Sequence, residues 1–296
     1  MRLLFGIDSS GAYPPAIRLA ANLAFPNPEA DLIHVVESVL PDGTFPNLGA
    51  EHPLMQIHAQ KEEEGRAALD AAEEQLRVAG IPARKFLERG DVARDMIEHV
   101  DKEKCELIVA RTSHKGYYGS LFFGSVAKGL LIGARQSLLI VKGEDTSSKK
   151  LRVVFATDHS PYCDRCVDAL AAMAPQGIEH LTVMTANQMN ETLATAWLSG
   201  WSDYGAASPT WVRETLHERN QDVVERLAPL NTQFDSVIVD GHPNDAIRQV
   251  MEGRGADLLI VGAQGHGFLD RLVVGSKSFH QVISEPYSVM VLRPGA

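Results

Sequence analysis

Short uninterrupted apolar runs punctuate this chain, separated by longer stretches of mixed polarity. Leu107-Ile108-Val109-Ala110, Leu138-Leu139-Ile140-Val141 and Leu258-Leu259-Ile260-Val261 lack the alternation of a half-exposed strand. They read as strands buried on both faces of a parallel sheet. The pattern predicts strands near 2–8, 31–37, 83–89, 105–111 and 137–142, and again near 151–157, 179–186, 235–240, 256–262 and 288–293. Helices are predicted near 14–25, 58–79, 91–103 and 124–134, then near 161–174, 209–228, 243–253 and 275–285. Ser160-Pro161 and Ser208-Pro209 each place a capping hydroxyl before a proline at the first helical position. Strands alternating with helices through right-handed crossovers make an open doubly wound α/β sheet. Ligands of such sheets sit beyond the carboxyl ends of the strands, where the strand order switches.

The pattern occurs twice. Leu3-Leu4-Phe5-Gly6-Ile7-Asp8 recurs as Val153-Val154-Phe155-Ala156-Thr157-Asp158, and Leu121-Phe122-Phe123-Gly124-Ser125 as Leu272-Val273-Val274-Gly275-Ser276. An offset near 150 means two whole domains rather than a solenoid. We expect five-stranded parallel-sheet domains over 1–145 and 151–296, with the polar stretch 144–150 as linker.

Composition narrows the function. A net charge of −10 argues against a nucleic-acid partner, because phosphate backbones demand a basic surface. No apolar stretch approaches the length of a membrane span, so no membrane partner is expected. The N-terminus enters a strand at once, leaving no room for a signal peptide, and three cysteines make no disulfide framework. A cytoplasmic setting is the expectation. Cys163 and Cys166 form a Cys-x2-Cys pair, but Ser160-Pro161 starts the helix before them, so they read as ordinary helix residues. Cys105 reads as core.

The chemistry concentrates in the pattern Gly-x2-Gly-x9-Gly-Ser formed by Gly262, Gly265, Gly275 and Ser276, directly after Leu258–Val261. Glycines allow a backbone to turn at positive φ and to approach a ligand closely. The helix that follows offers free amides and the positive end of its dipole to an anion. The spacing is neither Gly-x-Gly-x-x-Gly nor a P-loop. His114 and His266 look matched in the two loops, either as phosphate contacts or as solvent-facing residues. The long loops after the second strand of each half, with Pro41–Asn47 in one and Trp197, Trp201 and Tyr204 in the other, are candidate lids. Nothing supplies a base, a nucleophile and an electrostatic clamp at evident spacing, so the chain makes no strong case as an enzyme.

Asp ending the first strand, the glycine pattern after the fourth and a short last strand together resemble the universal stress protein domain, twice over. The resemblance implies the adenine nucleotide alpha hydrolase-like fold and a family divided between ATP-binding members and members lacking the glycine motif. It implies an ATP site in the second half built from Ala156, Thr157, Asp158, Val183, Gly262, Gly265, His266, Gly267, Gly275, Ser276, Lys277 and Ser278. Asp158 would lie at the adenosine end and Val183 would meet the adenine with its backbone. Gly262 and Gly265 would pass close to the phosphates, and Gly275 to Ser278 would donate to them, with magnesium bridging the phosphates. The nucleotide would act as a regulatory ligand read by a protein partner, with slow ATP hydrolysis at most. The alternatives are a nucleotide-free scaffold and an ATP-consuming enzyme. Last-strand edge pairing within the chain would make an intramolecular pseudo-dimer of the two domains, with a homodimer as a further step. In the first half, Ala110 and Ser113 are read as replacing the two leading glycines, one extra residue precedes Gly124-Ser125, and Arg111, Lys115, Tyr117 and Tyr118 crowd the loop. That half is expected to bind ATP weakly or not at all.

Overall fold

The structure, a computed structural model, describes residues 1–37, 52–112, 124–143, 150–188, 209–264 and 276–295, with backbone alone at 209, 276, 277 and 279. The chain divides into two units, whose main bodies are Met1–Lys149 and Lys150–Pro294. The first runs β1 (Arg2–Gly6), α1 (Pro14–Leu23), β2 (Glu29–Glu37), α2 (Pro53–Val78), β3 (Ala83–Gly90), α3 (Val92–Glu103), β4 (Leu107–Arg111), α4 (Ser125–Gly133) and β5 (Ser137–Val141). The second runs β6 (Leu151–Ala156), α5 (Pro161–Met173), β7 (Ile178–Asn187), α6 (Pro209–Leu227), β8 (Gln233–Asp240), α7 (Pro243–Arg254), β9 (Leu258–Gly262), α8 (Ser276–Ser284) and β10 (Ser288–Leu292).

Within the first unit the strand order is β3-β2-β1-β4-β5, and within the second β8-β7-β6-β9-β10. Every described pairing inside each unit is parallel. The unbroken apolar runs become β4, β5, β9 and β10, which are buried almost throughout. The outer strands β3 and β8 carry charged and half-exposed residues, which suits a strand with one unpaired edge. Both sheets reverse direction between their first and fourth strands, so the switch points lie between β1 and β4 and between β6 and β9.

Local signals set the boundaries. Ser160 Oγ accepts the Cys163 amide at 3.2 Å and fixes the start of α5, with Pro161 at the first helical position. Asp91 Oδ1 accepts the Arg94 amide at 2.9 Å and starts α3. Helix α2 begins five residues before the expected start at 58, because Pro53 opens it and the His52 ring accepts the Leu54 amide at 3.3 Å. Helices α3 and α7 stop identically, through Lys104 at φ 56° and Gly255 at φ 55°.

The strand ladders give a ruler that the sequence comparison lacked. Leu3 pairs with Leu107 and Val153 with Leu258. Arg111 closes β4 beside Val141, and Gly262 closes β9 beside Leu292. Arg111 therefore stands where Gly262 stands, which corrects the expected match with Ala110. At this offset of 151, Gly265 falls opposite His114 rather than Ser113, and His266 opposite Lys115. Helices α4 and α8 keep the same offset, so the stretches between them and the preceding strands are equal in length and there is no extra residue.

At the opposite ends of the sheets the two units carry the same ion pair with its signs reversed. Arg84 of β3 holds Glu103 at the end of α3 at 2.8 Å, while Asp235 of β8 holds Arg254 at the end of α7 at 2.5 Å. The ladders and helix ends make Arg84 equivalent to Asp235, and Glu103 equivalent to Arg254.

Candidate functional site

The site is built at the switch point of the second unit. Ala156 ends β6 next to Val261 of β9, and β9 runs one residue further, to Gly262. The exit from β6 is tied down by its own side chains. Thr157 Oγ1 accepts the His159 amide at 3.0 Å, and Asp158 Oδ1 accepts the Ser160 amide at 3.0 Å. These are successive side-chain turns of the type that Thr and Asp favour. They hold His159 in the left-handed region at φ 55°, an unusual conformation for a residue with a Cβ. Asp158 therefore lies two residues beyond the strand rather than at its end, half-buried at the crevice rim.

A buried polar chain backs this turn. His159 Nε2 lies 3.0 Å from Thr185 Oγ1, which donates to Asn220 Oδ1 at 2.7 Å, while Asn220 Nδ2 reaches the Val237 carbonyl at 3.5 Å. Arg219 donates to the His159 carbonyl at 3.5 Å. Burial pushes the His159 pKa down, and the nearby Arg219 charge pushes the same way, so the ring is held neutral. Sequence reasoning missed Thr185, Asn220 and Arg219, because nothing in their spacing links the end of β7 and the middle of α6 to the β6 turn.

Gly262 ends β9 without a positive φ. Its role is close packing, not the turn expected of it. A Cβ there would meet Cys166 Sγ at 3.1 Å, Tyr162 Cδ1 at 3.3 Å and the Gln264 carbonyl at 3.3 Å. Cys163 and Cys166 are buried free thiols. Burial, reinforced by the Asp158 charge, pushes the Cys163 thiol up to about 12, and burial raises Cys166 further. Neither is a ready nucleophile, because the thiolate is the reactive form. Cys166 instead packs on Gly262, with its Sγ 3.9 Å from the Leu292 carbonyl.

Helix α8 starts beside the same crevice. Ser278 Oγ donates to the Gly262 carbonyl at 2.7 Å, which ties the first turn of α8 to the end of β9. The hydroxyl expected to serve a phosphate is used here to place the helix. The far end of α8 is anchored on α7, through Gln281 Nε2 to Asn244 Oδ1 at 3.2 Å, and just beyond the helix through Arg248 Nη2 to Glu285 Oε1 at 2.7 Å. The backbone of Ser276 and Lys277 forms the first turn of α8; Gly265, His266, Gly267 and Gly275 lie outside the described residues, as do Trp197, Trp201 and Tyr204.

Val183, expected to meet the adenine with its backbone, lies within the second strand of this unit. It is fully buried inside β7, paired with Phe155 and Ser236, and the strand runs on to Asn187. Its backbone belongs to the ladder. The β7 residues that rise past Ala156 are Thr185, Ala186 and Asn187.

In the first unit an arginine occupies the position equivalent to Gly262. Arg111 leaves β4 and donates through Nη1 to the Ala12 carbonyl beyond β1, and through Nη2 to the Gly143 carbonyl beyond β5 at 3.2 Å. Its side chain thus bridges the exits of the strands that flank β4. Asp8 is consumed locally: its Oδ1 accepts from the Ser10 amide at 2.9 Å, the Ser10 hydroxyl at 2.5 Å and the Ala12 amide at 3.4 Å. Lys115, Tyr117 and Tyr118 fall outside the described residues.

The sequence profile of the universal stress protein family matches residues 1–142 and again 151–293. The chain belongs to the universal stress protein family. A universal stress protein of Mycolicibacterium smegmatis is 24% identical over 99% of this chain and 97% of its own. The crystal structure of a universal stress protein from Archaeoglobus fulgidus superposes with a TM-score of 0.65 at 19% identity, covering 99% of this chain and 98% of that one. A putative universal stress protein from Pseudomonas aeruginosa gives 0.66 at 15% identity over 99% and 93% of the two chains. These likenesses extend over both units, and at such identities the two structures speak for the fold alone. Among the described residues, no helix is long and apolar enough to cross a membrane.

Proposed function

We propose that this universal stress protein is a cytoplasmic regulatory protein that binds one adenine nucleotide, ATP, in its second unit. One observation carries the reading: the position filled by the bridging Arg111 side chain in the first unit is Gly262 in the second. The second unit thus has no side chain of its own bridging the strand exits at the switch point; Cys166 and Tyr162 of α5 close on Gly262 instead, and the amino end of α8 stands beside it. Main-chain amides and a helix dipole suit a polyphosphate, and the resemblance to ATP-binding universal stress proteins points the same way. Asp158, fixed by its turn, would face the adenosine, and the rim residues Thr185–Asn187 take the adenine-side place first given to Val183. Gly265, Gly275, Ser276 and Lys277 would supply the phosphate cradle, with His266 and Gly267 beside it. Magnesium would ride on the phosphates themselves.

The bound nucleotide is read here as a signal. The described residues offer a neutral His159 and protonated thiols, which suits a nucleotide that is held rather than consumed. The first unit, with its crevice bridged by Arg111, takes the nucleotide-free role, and a protein partner would read the state of the second.

Equilibrium titration of ATP into the wild-type chain and into Gly265→Ala/Gly275→Ala tests the site. The expected result is one nucleotide per chain for the wild type, with affinity reduced by about 100-fold or more in the double variant, since a Cβ there blocks close approach. Equal affinities would remove the assignment.

A further inference from the structure

The first unit holds a second chemical cluster, at the amino ends of its strands and away from the crevice. Asp31 of β2, His99 of α3 and Cys105, just ahead of β4, are all buried, and their donor atoms lie within 4.8 Å of one another. His99 Nε2 is 3.1 Å from Asp31 Oδ2, and Cys105 Sγ is 3.7 Å from the same oxygen. A tetrahedral zinc ion with bonds of about 2.0 Å to nitrogen and oxygen and about 2.3 Å to sulfur would set these edges at about 3.3 and about 3.5 Å. The three donors already stand near ligating separation, and together they form a mixed O, N, S set of the kind that zinc and cobalt(II) accept.

The duplication supplies an internal control. The strand ladder makes Asp31 equivalent to Thr182, and the shared helix ends make His99 equivalent to Val250 and Cys105 to Ala256. The second unit builds the same fold with no ligating group at two of these positions and a threonine at the third, so the fold itself does not call for the three donors.

We infer that Asp31, His99 and Cys105 form a site for a thiophilic divalent ion of the zinc type, with a fourth position left to water or exchangeable solvent. The surroundings support it. Arg84 grips Asp31 through Nε to Oδ1 at 2.9 Å and Nη2 to Oδ2 at 2.8 Å, an outer-shell contact that can persist on Oδ1 while Oδ2 turns to the metal. The His99 ring is held edge-on to Phe86 at 4.4 Å between centroids. Charge also balances. Arg2 is engaged by Glu29, and Asp31 with Glu103 then exceeds Arg84 by one negative charge. A divalent ion that displaces the Cys105 proton to solvent brings the group to neutrality. His99 would bind through Nε2 as the neutral ring, carrying its proton on Nδ1. The Arg84 side chain, half-exposed over the cluster, is the natural way in.

Cobalt(II) titrated into the reduced full-length chain provides the test. The expected result is one ion per chain, with a thiolate-to-cobalt charge-transfer band and the visible bands of tetrahedral cobalt, both displaced by zinc. Cys105→Ala and His99→Val install the residues of the second unit and should preserve the circular dichroism spectrum. The first should abolish the charge-transfer band, and the second should weaken cobalt binding by about tenfold or more, as the loss of a ligand-shell group does. Cys163→Ser/Cys166→Ser should leave the band intact. No band in the wild type, a band that survives Cys105→Ala, or one that vanishes with Cys163→Ser/Cys166→Ser would each overturn the inference. None of these readouts depends on nucleotide.

Discussion

At the scale of the residue, Gly262 and Arg111 do opposite things at one place in a duplicated fold. Gly262 lets α5 close onto β9, with Cys166 and Tyr162 where a Cβ would otherwise project. Gly262→Ala should therefore cost about 1–3 kcal/mol by overpacking, measured by urea denaturation. In a Cys166→Ala background the cost should fall, because the nearest neighbouring atom has gone. Equal costs in both backgrounds would show that the thiol does not press on this position. The sequence showed the glycine but not its reason. Positive φ was the natural reading of a glycine after a strand, whereas the actual constraint is a sulfur atom ninety-six residues earlier in the chain. The Arg111 exchange was also hidden, since the two loops share few residues near their strand ends and the register emerges from strand pairing.

At the scale of the element, the turn between β6 and α5 joins sheet, helix and crevice through His159. Its pKa is lowered in the fold by burial and by Arg219, so folding favours the neutral ring. That contribution to stability is fully present above the unfolded value of about 6.5 and is lost as pH falls through the lower folded value. The urea midpoint should decline from pH 7 towards pH 5. His159→Asn, which tolerates left-handed φ, should lose that part of the decline while being less stable at pH 7. A midpoint with the same pH dependence in both proteins would exclude His159 as its source. The strands and helices were legible because buried parallel strands are continuous apolar runs, and Ser160-Pro161 marked a real cap. Which residue of β7 rises past its neighbours was not legible, because an apolar strand does not announce it; that depends on where β6 stops.

At the scale of the whole molecule, two copies of one module have diverged in their crevices. Saturating ATP should stabilise the chain by about 2.7 kcal/mol at one hundred times its dissociation constant, read as a shift in thermal midpoint. Arg111→Gly should leave the stoichiometry at one, because Asp8 is already taken by three local donors and His114 replaces the second glycine. A second equivalent of nucleotide would instead show that Arg111 alone closes the first unit. At the other ends of the sheets, Asp235 is buried enough to favour its protonated form, yet Thr182, His180 and Arg254 outweigh that and hold its carboxyl below the usual range. Its contribution is present above about pH 4 and lost on further acidification, so Asp235→Asn should flatten the acid limb of unfolding.

The reversed polarity of Arg84–Glu103 and Asp235–Arg254 matters most before the chain is folded. A polypeptide that repeats itself risks assembling chimeras, with an outer strand from one copy adding to the sheet of the other. Here such an exchange would set Asp235 against Asp31 and Glu103, or Arg84 against Arg254. Like charges would meet where each correct pairing brings opposites together, a bias of charge against the exchanged strand.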